Sequence, residues 1–211
     1  MKKFQILIFG ASSTHGNWDE IGGWSHRIRQ HTIKQVLSKP NDLEGHVFNL
    51  GVPGDTTFDL LKRLESEIKA RLFYKETMII ISVGINDSRV NGDNQTLISA
   101  EDFENNQKKI LDIVRKYTDK IIFVGFTPVD ERRTIPWHDG KFSYLNKQIE
   151  KFDSIVKSVC KKNHVDFIDL FSSFNSDKNF LKYISDGLHP NTLGHKKIFD
   201  STKPYIDKFL E

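Results

Sequence analysis

A short apolar run near the N-terminus constrains the possible folds of this chain more than any other feature. It comprises Phe4, Ile6, Leu7, Ile8 and Phe9. A run of this length is typical of a strand that is buried on both faces, as in a parallel sheet. Directly after it come Gly10 and three hydroxyl residues at positions 12 to 14. Because open α/β sheets bind ligands beyond the carboxyl ends of their strands, we expect this hydroxyl cluster to lie at a ligand site.

Strand and helix patterns alternate along the rest of the chain. Four further apolar runs predict strands, at residues 46–50, 77–83, 120–126 and 165–168. Apolar residues at helical spacing predict helices at residues 22–37, 101–117, 142–160 and 191–210, and another with the stripe Leu61, Leu64, Ile68 and Leu72. Such alternation favours a parallel sheet covered by helices. The right-handed crossover rule then predicts an α/β fold, a three-layer α/β/α sandwich on a five-stranded parallel, flavodoxin-like sheet with residues 77–83 at its centre.

The composition excludes several classes of protein. The 211 residues suit a single domain, 1–211. The net charge is only +3 and the sequence has no long basic run, so we expect no nucleic acid partner. No apolar stretch approaches the length of a membrane span, so we expect no membrane partner. Cys160 is the only cysteine, which excludes an internal disulfide and fits a reducing compartment. We therefore expect a cytoplasmic protein; a homo-oligomer stays open.

Four loops carry the side chains of an acyl-transfer site. In a parallel sheet the loops that follow strands emerge at one edge, which would bring together the loops of Ser12, Gly54, Asn86 and the Asp186/His189 pair. A serine needs a base to become a nucleophile, and His189 is the candidate, with Asp186 three residues earlier as its orienting partner. The amides of Gly54 and Ser12 and the side chain of Asn86 are candidate donors to an oxyanion.

Each of these features also has a structural interpretation. Taken alone, Ser12 could cap a helix, Gly54 could serve a turn, and residues 86–87 and 186–190 could be ordinary loops. A metal site built from Asp186, His189 and His195 is disfavoured because no further ligand cluster lies near in sequence. A phosphate cradle at residues 10–16 is disfavoured because the P-loop and dinucleotide motifs are missing. The order of the four loops favours catalysis.

In this order the four segments resemble the motif blocks of the SGNH hydrolases, the GDSL-type esterase/lipase family. The segments are residues 9–16 (FGASSTHG), 49–56 (NLGVPGDT), 84–87 (GIND) and 186–190 (DGLHP). The resemblance implies the SGNH hydrolase fold, with catalytic residues and oxyanion donors at the positions named above and no cofactor or metal. One departure is Ala11, where the family usually has aspartate.

The resemblance also implies an activity. We expect a serine esterase that hydrolyses small-acyl esters, such as acetyl or short-chain esters, by an acyl-enzyme mechanism, with a small-molecule ester as its partner. The alternative is a non-catalytic protein on the same scaffold that binds a glycan or an acyl metabolite. Ala11 is the one sequence feature that favours this alternative.

Three residues are candidates for substrate binding: Trp18, Arg89 and Trp137. Trp18 follows the serine loop, and Arg89 lies just beyond Asn86. Trp137 belongs to residues 127–141, the longest irregular connection, and long loops of this kind are often functional. If that loop folds over the sheet edge, Trp137 would form a wall of the site, and Arg132 and Arg133 would meet an anionic or sugar substrate.

Overall fold

The centre of the fold is a five-stranded parallel sheet, seen in a computed structural model that describes residues 1–138 and 140–211. These residues form the strands β1 (Lys2–Gly10), β2 (Leu43–Gly51), β3 (Glu76–Ser82), β4 (Val90–Asn91), β5 (Lys120–Val124), β6 (Phe142–Ser143) and β7 (Asp166–Ile168). The main sheet has the order β2-β1-β3-β5-β7 with every neighbouring pair parallel. This confirms the flavodoxin-like order and the central position of β3. The short β4 and β6 pair antiparallel beside it.

Helices cover both faces of this sheet. They are α1 (Ser12–His15), α2 (Gly23–Ser38), α3 (Thr57–Lys69), α4 (Ala100–Arg115), α5 (Glu131–Thr134), α6 (Asn146–Lys162), α7 (Leu170–Asn175) and α8 (Thr192–Leu210), with a 3₁₀ turn at Phe180–Tyr183. Among residues 1–138 and 140–211, no helix combines the length and the hydrophobicity that a bilayer crossing requires.

The packing on the two faces of β1 explains the three layers of the α/β/α sandwich. Leu7 and Phe9 pack in the cluster that contains the apolar stripes of α3, α4 and α6, whereas Ile6 and Ile8 pack in the cluster of α2 and α8. All four side chains are completely buried. Successive side chains of a strand point to opposite faces, so a continuous apolar run fits only a strand covered on both sides. The α/β/α sandwich is therefore confirmed.

Some predicted boundaries were wrong. The helix predicted from residue 142 begins at Asn146, because residues 142–143 form β6 against β4. Leu72 lies outside α3, which ends at Lys69, and is 41% exposed. The loop that carries Asp186 does not follow a strand directly, since α7 and the 3₁₀ turn separate it from β7. It nevertheless returns to the sheet edge at which β1 ends, as its contact with Ser12 shows.

Candidate active site

The turn after β1 presents Ser12 at the start of α1. The backbone holds this turn: the His15 N–H donates to the Ala11 carbonyl at 2.9 Å, and the Gly16 N–H donates to the Ser12 carbonyl at 3.0 Å. Gly16 ends the short helix with a φ of 104°, which glycine adopts at little cost. The turn thus keeps a defined geometry although residue 11 is alanine. Ser12 itself is only 9% exposed.

A buried histidine on α8 supports the same turn. The Trp24 N–H donates to Nδ1 of His195 at 3.3 Å, so Nε2 carries the proton and donates to the Asn17 carbonyl at 2.9 Å. Burial lowers the pKa of His195, which favours this neutral form. Both ring nitrogens are therefore engaged with backbone groups around the serine loop. Sequence reasoning missed this role, because no local pattern links residue 195 to residue 17.

Ser12, His189 and Asp186 form a hydrogen-bonded chain. The Ser12 Oγ lies 2.8 Å from Nε2 of His189, and Nδ1 of His189 lies 2.7 Å from Oδ2 of Asp186. Burial alone would raise the pKa of Asp186, but hydrogen bonds from the side chain and backbone of His189 outweigh it and lower that pKa to about 2. The carboxylate is therefore charged, and it holds a proton on Nδ1. Nε2 then offers its lone pair to the serine hydroxyl.

The loop of residues 127–141 anchors the Asp186 loop. The Asp130 N–H donates to the Gly187 carbonyl at 2.8 Å, and the Arg133 guanidinium donates to the Ser185 carbonyl at 2.5 Å. Gly187 has a φ of 108°, a conformation that L side chains rarely adopt. These contacts fix the backbone on both sides of Asp186. The long loop thus supports the site, and its Arg133 is engaged with the protein.

The Gly54 turn and Asn86 meet at the neighbouring loops. The Asp55 N–H donates to the Val52 carbonyl at 3.1 Å, and Gly54 has a φ of 87°, as a type II turn with Pro53 before the glycine requires. The Asn86 Nδ2 donates one hydrogen to the Asp55 carbonyl at 2.9 Å. This bond makes the two candidate oxyanion donors neighbours and leaves the second Nδ2 hydrogen for a ligand.

The backbone donors of the predicted oxyanion site are free for a ligand. Within residues 1–138 and 140–211, the N–H groups of Ser12 and Gly54 have no acceptor. The Asn86 Oδ1 instead accepts a hydrogen bond from the Tyr144 hydroxyl at 2.8 Å. Sequence reasoning did not identify Tyr144, which lies 58 positions away along the chain.

A buried network fixes the start of α3 behind this turn. The Asp87 carboxylate accepts the Thr57 N–H at 3.1 Å and the Thr57 hydroxyl at 2.5 Å. Asn106 also donates to the Thr57 hydroxyl, at 3.0 Å. Burial raises the pKa of Asp87 to about 6, although the bonds from Thr57 oppose the shift. Thr56 caps the helix through a reciprocal capping box with Asp59.

Two tryptophans lie beside the candidate base. The ring centroids of Trp18 and Trp137 are 6.4 Å and 6.2 Å from that of His189. Trp18 is 57% exposed and Trp137 is 9% exposed, so the first lies at the rim and the second forms an inner wall. The Trp18 Nε1 also lies 3.1 Å from Nδ1 of His189. The indole N–H and Asp186 thus compete for the same nitrogen, and the shorter contact, 2.7 Å to the charged carboxylate, is the one that places the proton on Nδ1.

The arginines named from the sequence have partners within the protein. The Arg89 guanidinium lies 4.4 Å from the Phe142 ring centroid and near the Tyr144 hydroxyl, and its buried Nε has no hydrogen-bond partner among the described residues. Arg132 pairs with Asp130 at 2.8 Å, and Arg133 holds the Asp186 loop as described above. The structure therefore groups Ser12, Asp186, His189, Gly54, Asn86, Trp18 and Trp137 at one edge of the sheet, with Arg89 behind Asn86 and Tyr144.

Comparisons with known proteins identify one family model and several proteins of similar sequence or fold. Residues 8–197 match the sequence model of the GDSL-like lipase/acylhydrolase family. The chain is 24% identical to the human isoamyl acetate-hydrolyzing esterase 1 homolog, covering 97% of this chain and 82% of the relative. A lipase/acylhydrolase from Enterococcus faecalis shares the fold with a TM-score of 0.73 at 23% identity, covering 98% of this chain and 95% of the other. An acetylxylan esterase from Geobacillus stearothermophilus also has a TM-score of 0.73, at 18% identity, covering 96% and 93%.

Proposed function

We propose that this chain, which belongs to the GDSL-like lipase/acylhydrolase family and is a carboxylic ester hydrolase, cleaves small-acyl esters with Ser12 as its nucleophile. The observation that carries the proposal is the chain of hydrogen bonds from Ser12 through His189 to Asp186, at 2.8 Å and 2.7 Å. These distances are within the range over which a base can take a hydroxyl proton.

The reaction has two halves. The Ser12 Oγ attacks the ester carbonyl carbon while Nε2 of His189 takes the hydroxyl proton, and Asp186 stabilises the resulting imidazolium. The amides of Ser12 and Gly54 and the free Nδ2 hydrogen of Asn86 stabilise the oxyanion. Cleavage of the ester C–O bond releases the alcohol, which receives the proton from His189. Water then attacks the acyl-enzyme with His189 again as base, releasing the acid and restoring Ser12.

The preference for small acyl groups is part of the proposal. Two of the similar proteins are named for the hydrolysis of acetate esters, isoamyl acetate in one and acetylated xylan in the other. Trp137, buried beside His189, would limit the space for the acyl group in this proposal. We expect kcat/KM to fall along a series of p-nitrophenyl acetate, butyrate and octanoate. A higher value for octanoate than for acetate would contradict this part of the proposal.

The nucleophile is tested with p-nitrophenyl acetate and two serine variants. Ser12→Ala should lose turnover by at least about 10³-fold, and it should no longer react with a serine-directed fluorophosphonate. Ser13→Ala is the matched control, because it removes the adjacent hydroxyl, and it should keep both properties. Turnover that survives in Ser12→Ala would refute the assignment of the nucleophile.

The remaining features of the proposal are the location and the partners. We propose a cytoplasmic enzyme, as the single, buried Cys160 suggests, whose partner is a small-molecule ester. The non-catalytic alternative would appear as a wild-type protein that neither turns over p-nitrophenyl acetate nor reacts with the fluorophosphonate.

A further inference from the structure

Tyr144 makes a buried hydrogen bond to the candidate oxyanion asparagine. Its hydroxyl donates to the Asn86 Oδ1 at 2.8 Å, and Tyr144 is only 3% exposed. The Asp55 carbonyl can only accept, so it holds Nδ2 on its own side, and the Tyr144 hydroxyl then donates to Oδ1 on the other. Oδ1 must therefore face Tyr144, and Nδ2 must face the Asp55 carbonyl and the ligand side.

The backbone and ring of Tyr144 are also held in place. Its N–H donates to the Thr134 carbonyl at 3.1 Å, and the Thr134 hydroxyl donates back to the Tyr144 carbonyl at 2.8 Å. The ring packs edge-to-face on Trp137 and Phe142, with centroid distances of 5.9 Å and 5.7 Å. The hydroxyl therefore occupies a fixed point behind Asn86.

Arg89 extends the network by one group. Its guanidinium lies 4.4 Å from the Phe142 ring centroid and is near enough to the Tyr144 hydroxyl to act on its ionisation. A tyrosine hydroxyl can accept from the guanidinium while it donates to the amide. Donors linked in this way polarise one another, which strengthens the last one in the chain. That last donor is the free N–H of Asn86.

We propose that Tyr144 and Arg89 are positioning residues that orient and polarise the Asn86 amide for the oxyanion. The inference extends the proposed function, on which it rests, to two residues outside the motif blocks. It also gives Arg89 a role different from the direct substrate contact that its sequence position suggested.

The ionisation of Tyr144 supports this role. Burial raises the pKa of Tyr144 to about 12, although the nearby Arg89 opposes the shift. The hydroxyl thus keeps its proton throughout the working pH range of a histidine base. It can therefore donate to Asn86 at neutral pH.

The test is a set of double-mutant cycles measured with p-nitrophenyl acetate. Tyr144→Phe keeps the ring packing and removes the hydroxyl, and it should lower kcat about tenfold with KM changed less than twofold. In an Asn86→Ala background the same substitution should have no further effect on kcat. Arg89→Met should lower kcat by about two- to fivefold, and this effect should vanish in the Tyr144→Phe background.

Tyr117→Phe is the matched control. It also removes a tyrosine hydroxyl, which donates to Glu65 at 2.9 Å, and it should leave kcat unchanged. Circular dichroism and thermal unfolding establish that each variant is folded. If Tyr144→Phe does not fold, Arg89→Met still tests the network, because it leaves the buried Tyr144 hydroxyl in place.

The outcomes separate the inference from the proposed function. Unchanged kcat in Tyr144→Phe, or an undiminished effect in the Asn86→Ala background, overturns the inference while Ser12-dependent turnover still supports the proposed function. An Arg89→Met effect that falls on KM and persists without the Tyr144 hydroxyl would instead assign Arg89 to direct substrate binding. Wild-type protein without Ser12-dependent turnover overturns both.

Discussion

At the scale of a residue, Asp186 is placed to fix the proton that the proposed chemistry needs. Its Oδ1 accepts the backbone N–H groups of Leu188 and His189 at 3.0 Å and 2.8 Å, while Oδ2 faces the ring of His189. In Asp186→Asn the oxygen must stay on the backbone side, because only an oxygen can accept two N–H groups. The amide NH₂ would then face Nδ1 of His189 and donate to it, leaving the ring proton on Nε2 opposite Ser12.

We therefore predict that Asp186→Asn lowers kcat by about 10³- to 10⁴-fold while the loop keeps its structure. The unfavourable tautomer cannot take the serine proton, so raising the pH should not restore activity. The measurements are kcat from pH 6 to 9 and the thermal midpoint. Activity within tenfold of wild type would show that His189 does not depend on Asp186 for its tautomer.

Sequence reasoning named candidate residues that belong to motifs and missed residues that packing brings to the candidate site. Ser12, Gly54, Asn86, Asp186 and His189 could be named because each belongs to a short pattern with a chemical reason. Tyr144 and His195 contact residues 58 and 178 positions away. No local spacing encodes such contacts, and they become visible only once the loops have folded together.

At the level of elements, the start of α3 links helix capping to the oxyanion turn. Thr56 accepts the Asp59 N–H and forms the capping box, and its N–H in turn donates to the Asp59 carboxylate at 3.2 Å. Gly54 lies two residues before this cap. Helix α3 and its cap were predictable from the sequence, because a turn glycine, a threonine and an apolar stripe follow one another at its start. The start of α6 was not, because the pairing of β6 with β4 overrides the helical pattern.

We predict that Thr56→Ala destabilises the protein by about 1 kcal/mol, the usual cost of a lost N-cap, and also lowers kcat. The second effect follows because the cap holds the turn that presents the Gly54 N–H. Ser99→Ala is the matched control: Ser99 caps α4 by accepting the Asp102 N–H at 3.0 Å. It should cost a similar free energy of unfolding in urea without a change in kcat. If Thr56→Ala and Ser99→Ala have the same kcat, the Thr56 cap does not contribute to catalysis.

For the whole molecule, the raised pKa values of buried carboxyl groups make the free energy of unfolding depend on pH. Burial raises the pKa of Asp153 on α6 to about 7, although the Phe126 N–H donates to its Oδ1 at 2.7 Å and opposes the shift. The folded state therefore binds a proton at Asp153 between about pH 4 and pH 7, where the unfolded chain does not. The free energy of unfolding should fall as pH rises through this window, and Asp87, with a pKa of about 6, acts in the same direction.

We predict that Asp153→Asn removes the Asp153 share of this dependence and stabilises the protein above pH 7. The asparagine Oδ1 can still accept the Phe126 N–H, and no charge has to be buried. The difference in unfolding free energy between variant and wild type should grow with pH from 4 to 7, by up to about 1.4 kcal/mol per pH unit, and then level off. Asp112→Asn, which alters an exposed aspartate on α4, should give no such slope. Urea unfolding of the three proteins at pH 4.5, 6 and 8 measures the effect. If the difference in unfolding free energy between Asp153→Asn and wild type stays constant with pH, Asp153 is already charged in the folded protein at pH 4.5.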